Sequence, residues 1–110
     1  MANPVNLPLV TLTPAEAAAK FDAGEIALVD VREANEWAQA RIPGAVLSPL
    51  STLAADASNL PTDKPVVFYC MAGGRSAKAV ALVQSLGIAV DTHVGGGITA
   101  WAQAGLPIER

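Results

Sequence analysis

Cysteine and histidine each occur once in the 110 residues, as Cys70 and His93. A single thiol excludes an intramolecular disulfide, and one Cys with one His cannot assemble the usual four-ligand zinc centre. Charge is scarce as well: 15% of residues are charged, against a usual figure of about 25%. The 10 Asp+Glu outnumber the 7 Lys+Arg, giving a net charge of −3. That balance offers no electrostatic footprint for nucleic acid and no polybasic run for a membrane surface. No apolar run approaches the roughly 18 residues that a membrane helix needs. The opening segment MANPVNLPLV lacks a basic leader region and is broken by Pro4 and Pro8, unlike a secretory signal. These absences lead to the expectation of a cytoplasmic, reducing location in which a lone thiol survives.

Aromatic residues make up only 5% of the chain, whereas 52% is hydrophobic, a share inflated by alanine. This composition excludes intrinsic disorder, which needs low hydrophobicity with high net charge. It predicts a core of small side chains with a few large anchors, Trp37 and Trp101 among them. The length fits one domain over residues 1–110, with no room for a second.

Elements alternate along the chain. Thr13-Pro14-Ala15-Glu16 reads as a capping box with proline at the first helical position, opening a short helix that stops at Gly24. Residues 26–31 (IALVDV) are an apolar run of strand length. Residues 33–40 are helix-like, Pro43-Gly44 makes a turn, and Val46 and Leu47 form a short strand. Residues 48–57 predict a weak helix, and 65–69 (PVVFY) the most strand-like segment. Residues 75–86 carry an apolar stripe at helical spacing, closed by Gly87. A strand over 88–94, a turn at Gly95-Gly96-Gly97 and a helix from Ile98 complete the order. Apolar strands separated by helices imply an α/β fold, a mostly parallel sheet covered on both faces. Ligands in such sheets sit beyond the carboxyl ends of the strands. Two polar features fall there: Asp30-Val31-Arg32 after one strand and Cys70 after another.

The stretch Cys70-Met71-Ala72-Gly73-Gly74-Arg75-Ser76 joins a buried strand to a helix. Its thiol precedes the positive end of a helix dipole. Its two glycines can take positive φ, curling the loop so that backbone N–H groups converge on the sulfur, with Arg75 as a cation on the rim. Helix N-termini and cations can lower a cysteine pKa to about 3.5–7.5. An inert packing cysteine is the competing explanation, since free thiols are among the most buried side chains. The residue chemistry by itself leaves both open.

The chain resembles the single-domain rhodaneses, which are sulfurtransferases, from about Leu9 to Ile108. Three motifs carry the resemblance. The first is Leu28-Val29-Asp30-Val31-Arg32 with Glu36-Trp37 and Ile42-Pro43-Gly44-Ala45. The second is Val67-Phe68-Tyr69-Cys70 with Gly73 and Arg75-Ser76. The third is Gly95-Gly96-Gly97-Ile98 with Ala100-Trp101 and Gly105-Leu106-Pro107. The resemblance implies a rhodanese-like three-layer fold and a Cys70 thiolate that takes sulfane sulfur from a donor such as thiosulfate. The persulfide so formed would pass its sulfur to a thiophile such as cyanide, a cellular thiol or a sulfur-accepting protein. The amides of Met71, Ala72, Gly73, Gly74, Arg75 and Ser76 would stabilise the charge, and Arg75 would attract the anionic donor. Asp30 and Arg32 would support the loops, and no metal or organic cofactor is implied. The pair Ala40-Arg41 replaces the family's common Gly-His, which alters the local turn and leaves the cysteine loop untouched.

A second reading is a sulfur-relay or binding module loaded by partner proteins. Cysteine phosphatases and arsenate reductases are more distant. Such phosphatases resemble C-x5-R, whereas four residues separate Cys70 from Arg75, and no aspartate general acid is evident. Three further expectations concern neighbours. His93 is read as strand-end structure rather than a base, Arg32 as able to pair with Glu36, and the triple glycine as a tight turn approaching the cysteine loop. It is not a phosphate loop, because it lacks the Lys-Ser/Thr ending.

Overall fold

The computed structural model describes residues 3–110. Five strands form one sheet in the order β1-β5-β4-β2-β3, with every neighbouring pair parallel. They are β1 (Val10–Leu12), β2 (Ala27–Asp30), β3 (Val46–Leu47), β4 (Val66–Tyr69) and β5 (Thr92–Val94). The α-helices are α1 (Pro14–Asp22), α2 (Ala34–Gln39), α3 (Leu53–Asp56), α4 (Gly74–Ser85) and α5 (Gly97–Gln103).

Strand alternation divides the core. Val66, Phe68 and Cys70 turn to one face of the sheet with Val29 and Val31, where Leu53, Ala79, Val80 and Val83 of α3 and α4 cover them. Val67 and Tyr69 turn to the other face with Leu28 and Val94, under Ala17 and Ala18 of α1 and Ile98 and Trp101 of α5. Buried alanines let the helices lie close to the sheet, and Trp101 fills the remaining volume while its indole N–H donates to the Pro107 carbonyl at 2.8 Å.

Helix termini follow local chemistry. Thr13 and Glu16 bond reciprocally across the start of α1, at 2.9 and 3.1 Å, as the capping box requires. Gly87 closes α4 as expected, whereas the strand that follows starts later than expected. Gly87 takes φ +86, its amide bonds the Gln84 carbonyl, and the Ile88 amide bonds the Val83 carbonyl. This is a Schellman closure, and it uses the first residue of the anticipated strand, so β5 begins only at Thr92. Residues 48–57 form no continuous helix: a 3₁₀ turn at Leu50–Thr52 leads into α3, followed by another at Ala57–Asn59. Ser and Asp are weak helix formers, and here buried Leu53, Ala57 and Leu60 hold the segment in place. Strand β1 was not expected at all, because three mostly exposed residues carry no periodicity; its pairing with β5 creates it.

Chain direction places the site. From β2 the chain moves to β3 at one edge, whereas from β4 it moves to β5 on the opposite side. The carboxyl ends of β2 and β4 therefore flank the point where the winding reverses, the place where such sheets open a crevice. Cys70 follows β4 and Asp30-Val31-Arg32 closes β2.

Candidate active site

Cys70 is 1% exposed, yet its surroundings are polar at the sulfur. The loop after β4 folds back over it, with Gly73 at φ +112 as the cap of α4. The Gly73 amide donates to Sγ at 3.1 Å and the Ser76 amide at 3.3 Å, while Ser76 Oγ lies 3.6 Å away. Burial pushes the Cys70 pKa up. Hydrogen bonds from the Ser76 hydroxyl and the amides of Ser76, Gly73 and Ala72 outweigh that push, and the pKa falls below its ordinary value. An apolar packing cysteine would shift upward only.

Of the anticipated ring of donors, Ala72, Gly73 and Ser76 serve the sulfur. Met71, Gly74 and Arg75 make no hydrogen bond to it through their amides. Only Gly73 of the glycine pair has positive φ; Gly74 is the first residue of α4. The triple glycine does approach the loop. A Cβ on Gly97 would collide with the Cys70 carbonyl oxygen and with the Met71 backbone. Because Gly97 is bare, the Ile98 amide reaches the Cys70 carbonyl at 2.8 Å and the Thr99 amide reaches that of Met71 at 3.1 Å. The first turn of α5 thus clamps the loop from behind.

Two ion pairs differ from the sequence expectation. Arg32 does not pair with Glu36. It turns back on Asp30, with Nε 3.0 Å and Nη2 2.8 Å from Oδ2, and also donates to the Ala40 carbonyl at 2.6 Å. Arg32 is 2% and Asp30 0% exposed, so removal of either leaves an unpaired buried charge. Their geometry is that of a brace inside the β2–α2 connection. Glu36 instead grips Arg75, through Oε1–Nη1 at 2.6 Å and Oε2–Nη2 at 2.9 Å. Hydrogen bonding from Arg75 lowers the Glu36 pKa to about 2, against desolvation that raises it. Arg75 is partly exposed, with its charge matched by that carboxylate. A single sequence offered no way to know that α2 faces α4 across the crevice.

Trp37 is half-buried on α2 and anchors no core; the Arg41 guanidinium lies 5.6 Å from its ring centroid. Arg41 also forms the antiparallel bridge to Glu109 and an ion pair with its carboxylate at 2.7 Å. The Ala40-Arg41 variation therefore ties the end of the chain to the α2 turn. His93, read from the sequence as strand-end structure, lies in β5 and reaches the cysteine loop. Its Nδ1 is 2.8 Å from Ser76 Oγ, one hydrogen bond from the sulfur. The register pairs His93 with Phe68, and that neighbour relation between β5 and β4 was the missing signal.

A groove of about 220 Å³ opens beside the loop, with Met71, Ile98, Ala102 and Ile108 as its apolar wall and Arg32 and Glu36 among its polar lining. A larger hollow of about 480 Å³ lies at the amino ends of the strands, remote from the thiol.

The chain is similar in sequence and fold to known proteins. The family model of the rhodanese-like domain matches residues 13–104. A sulfurtransferase of Allochromatium vinosum is 40% identical over 87 residues, covering 79% of this chain and 81% of that protein. The probable adenylyltransferase/sulfurtransferase MoeZ of Mycobacterium tuberculosis is 42% identical over 96 residues, covering 84% of this chain. The match spans only 24% of MoeZ, so this chain corresponds to about a quarter of that protein. The solved structure of a rhodanese-related protein from Thermoplasma volcanium aligns with TM-score 0.80 at 30% identity, over 91% of this chain and 97% of that one. The family model, the relatives and the shared fold together show that the chain belongs to the rhodanese-like domain family.

Proposed function

We infer that the protein is a sulfurtransferase in which Cys70 carries sulfur as a persulfide. The observation that bears most weight is the set of amide hydrogen bonds from Gly73 and Ser76 to Sγ, which favours an anionic sulfur without a dedicated base. Sulfurtransferase relatives among known proteins support the same reading. With thiosulfate as donor, the thiolate attacks the outer sulfur, a new S–S bond forms, and sulfite departs with the electron pair of the broken bond. The terminal persulfide sulfur is then attacked by a thiophile. Cyanide would leave as thiocyanate, and the Cys70 thiolate is regenerated. Fixed donors aimed at a developing anion are the largest routine source of such stabilisation. Asp30 and Arg32 hold the neighbouring loop, and Arg75 with Glu36 forms the polar rim.

A second reading has one observation in its favour. Glu36 neutralises Arg75, which weakens attraction for a small dianion, and the adjoining groove is largely apolar. A protein or organic persulfide would suit that surface better than thiosulfate, making the domain a relay loaded by partners. A phosphatase or arsenate reductase is disfavoured by the C-x4-R spacing, which makes a smaller ring than a tetrahedral oxyanion needs.

Intact mass after incubation with thiosulfate tests the proposal, with Cys70→Ser as the control. One added sulfur on the native chain, released by cyanide and absent from the serine variant, is expected. Thiosulfate:cyanide turnover persisting in Cys70→Ser would overturn the assignment. Loading by a protein persulfide but not by thiosulfate would select the relay.

A further inference from the structure

His93 on β5 has no part in the chemistry just described, although it is 6% exposed and shares the α4 face of the sheet with Phe68 and Cys70. Its Nε2 lies 3.1 Å from Thr11 Oγ1 on β1, and its Nδ1 lies 2.8 Å from Ser76 Oγ on α4. Ser76 Oγ is in turn 3.6 Å from Cys70 Sγ. Four side chains from separate segments form one line from the sheet edge to the sulfur.

Proton counting decides what this line can do. Ser76 has one hydroxyl proton. Its possible acceptors are the Gly73 carbonyl at 3.1 Å, the Cys70 sulfur and, where it carries no proton, His93 Nδ1. A thiolate or persulfide is stabilised by Ser76 only when that proton points at sulfur. A protonated Nδ1 donates to the Ser76 oxygen and so leaves the competition for its proton. Nε2 is then the acceptor, and the Thr11 hydroxyl is its donor. The ring is neutral in this arrangement. Its neighbours are Thr11 from β1, Phe68 from β4, and Ser76 with Gly73 at the start of α4, none of them charged. Desolvation holds the His93 pKa below its ordinary value, which disfavours an imidazolium formed by taking the thiol proton.

We propose that His93 is a positioning residue for sulfur transfer, its Nδ1–H turning the Ser76 hydroxyl proton onto the Cys70 sulfur. This rests on the reading of Cys70 as the sulfur carrier. No covalent bond is made or broken at the ring.

The test is the pH profile of Cys70 alkylation by iodoacetamide on the full chain, which reads the thiolate without any sulfur donor. In His93→Leu the rate near neutral pH should fall about three- to tenfold, the size of one realigned hydrogen bond, with the profile displaced to higher pH. His93→Asn, whose amide can donate from the Nδ1 position, should restore the native profile. In a Ser76→Ala background the His93→Leu change should add nothing. Thr11→Val, at an exposed edge position, should displace the profile in the same direction by less, and it supplies the reading where His93→Leu fails to fold. Native-like profiles in the Leu and Val variants would overturn the proposal. So would an undiminished Leu effect without Ser76, or a native titration step that His93→Asn removes, which would mark a base. A chain that shows these displacements yet never gains sulfur would retain the hydroxyl alignment and lose the persulfide function, so the two failures are distinct.

Discussion

The Arg75 guanidinium has two claims on it, the Glu36 carboxylate that it already binds and any anion approaching Cys70. The sequence marks Arg75 as a candidate for anion binding, because a cation in a helix's first turn is mildly unfavourable against the dipole and invites an anion. Its partner was not legible, since Glu36 lies on another element and Arg32 was the nearer choice in sequence. The pair sets a testable balance. Glu36→Gln keeps the shape of the rim and releases the charge of Arg75. Steady-state kinetics with thiosulfate should then show KM falling by about two- to fivefold, the range of a partly exposed ion pair. An unchanged KM would mean that the donor does not pass Arg75.

Between β4 and α4, the decisive variable is how closely two helix starts approach one loop. Gly97 has φ +59 and no space for a Cβ, because the Cys70 carbonyl and the Met71 backbone occupy it. Gly97→Ala should cost about 3 kcal/mol, from backbone strain and a forced separation of α5 from the loop. Gly74 is the contrast: it sits in helical backbone with open space around it. Gly74→Ala should be neutral or stabilising by up to about 1 kcal/mol. Denaturant midpoints of the two variants check this difference directly. Loop length is a further lever on the same element. One glycine inserted between Gly73 and Gly74 converts C-x4-R into C-x5-R and moves the amide donors outward. Since such donors act at about 2.7–3.1 Å from the charge, sulfur transfer should fall and protection of Cys70 by phosphate should rise. Paired turnover and alkylation-protection measurements would show both.

For the whole molecule, the ion pairs make stability depend on pH. Folding depresses the Glu36 pKa from 4.5 to about 2. A depressed carboxylate contributes its full stabilisation above its unfolded pKa and loses it as pH falls through the folded one. The contribution of the Arg75–Glu36 contact is therefore present above about pH 4.5 and disappears toward pH 2. Glu36→Gln should flatten the fall in melting temperature across that window relative to the native chain. Identical acid profiles would mean that the pair adds nothing to folding. Among the described residues no helix is long and apolar enough to cross a membrane.

Local chemistry determined a good part of this protein. The capping box of α1, the apolar strands β2 and β4, the stripe of α4 and the Gly-rich turn after Cys70 each follow from propensities acting over a few residues. So does the expectation of a parallel α/β sheet, because fully apolar strands need cover on both faces. Only tertiary structure decided the rest. The edge strand β1 exists through its pairing with β5, and Trp37 meets Arg41 at the surface rather than filling a core. Glu36 reaches Arg75 across the crevice, and His93 reaches Ser76 because β5 lies beside β4. The last two contacts join residues 39 and 17 positions apart. Propensity acts within a few residues, so strand order, which no local pattern encodes, settles which polar side chains surround the sulfur.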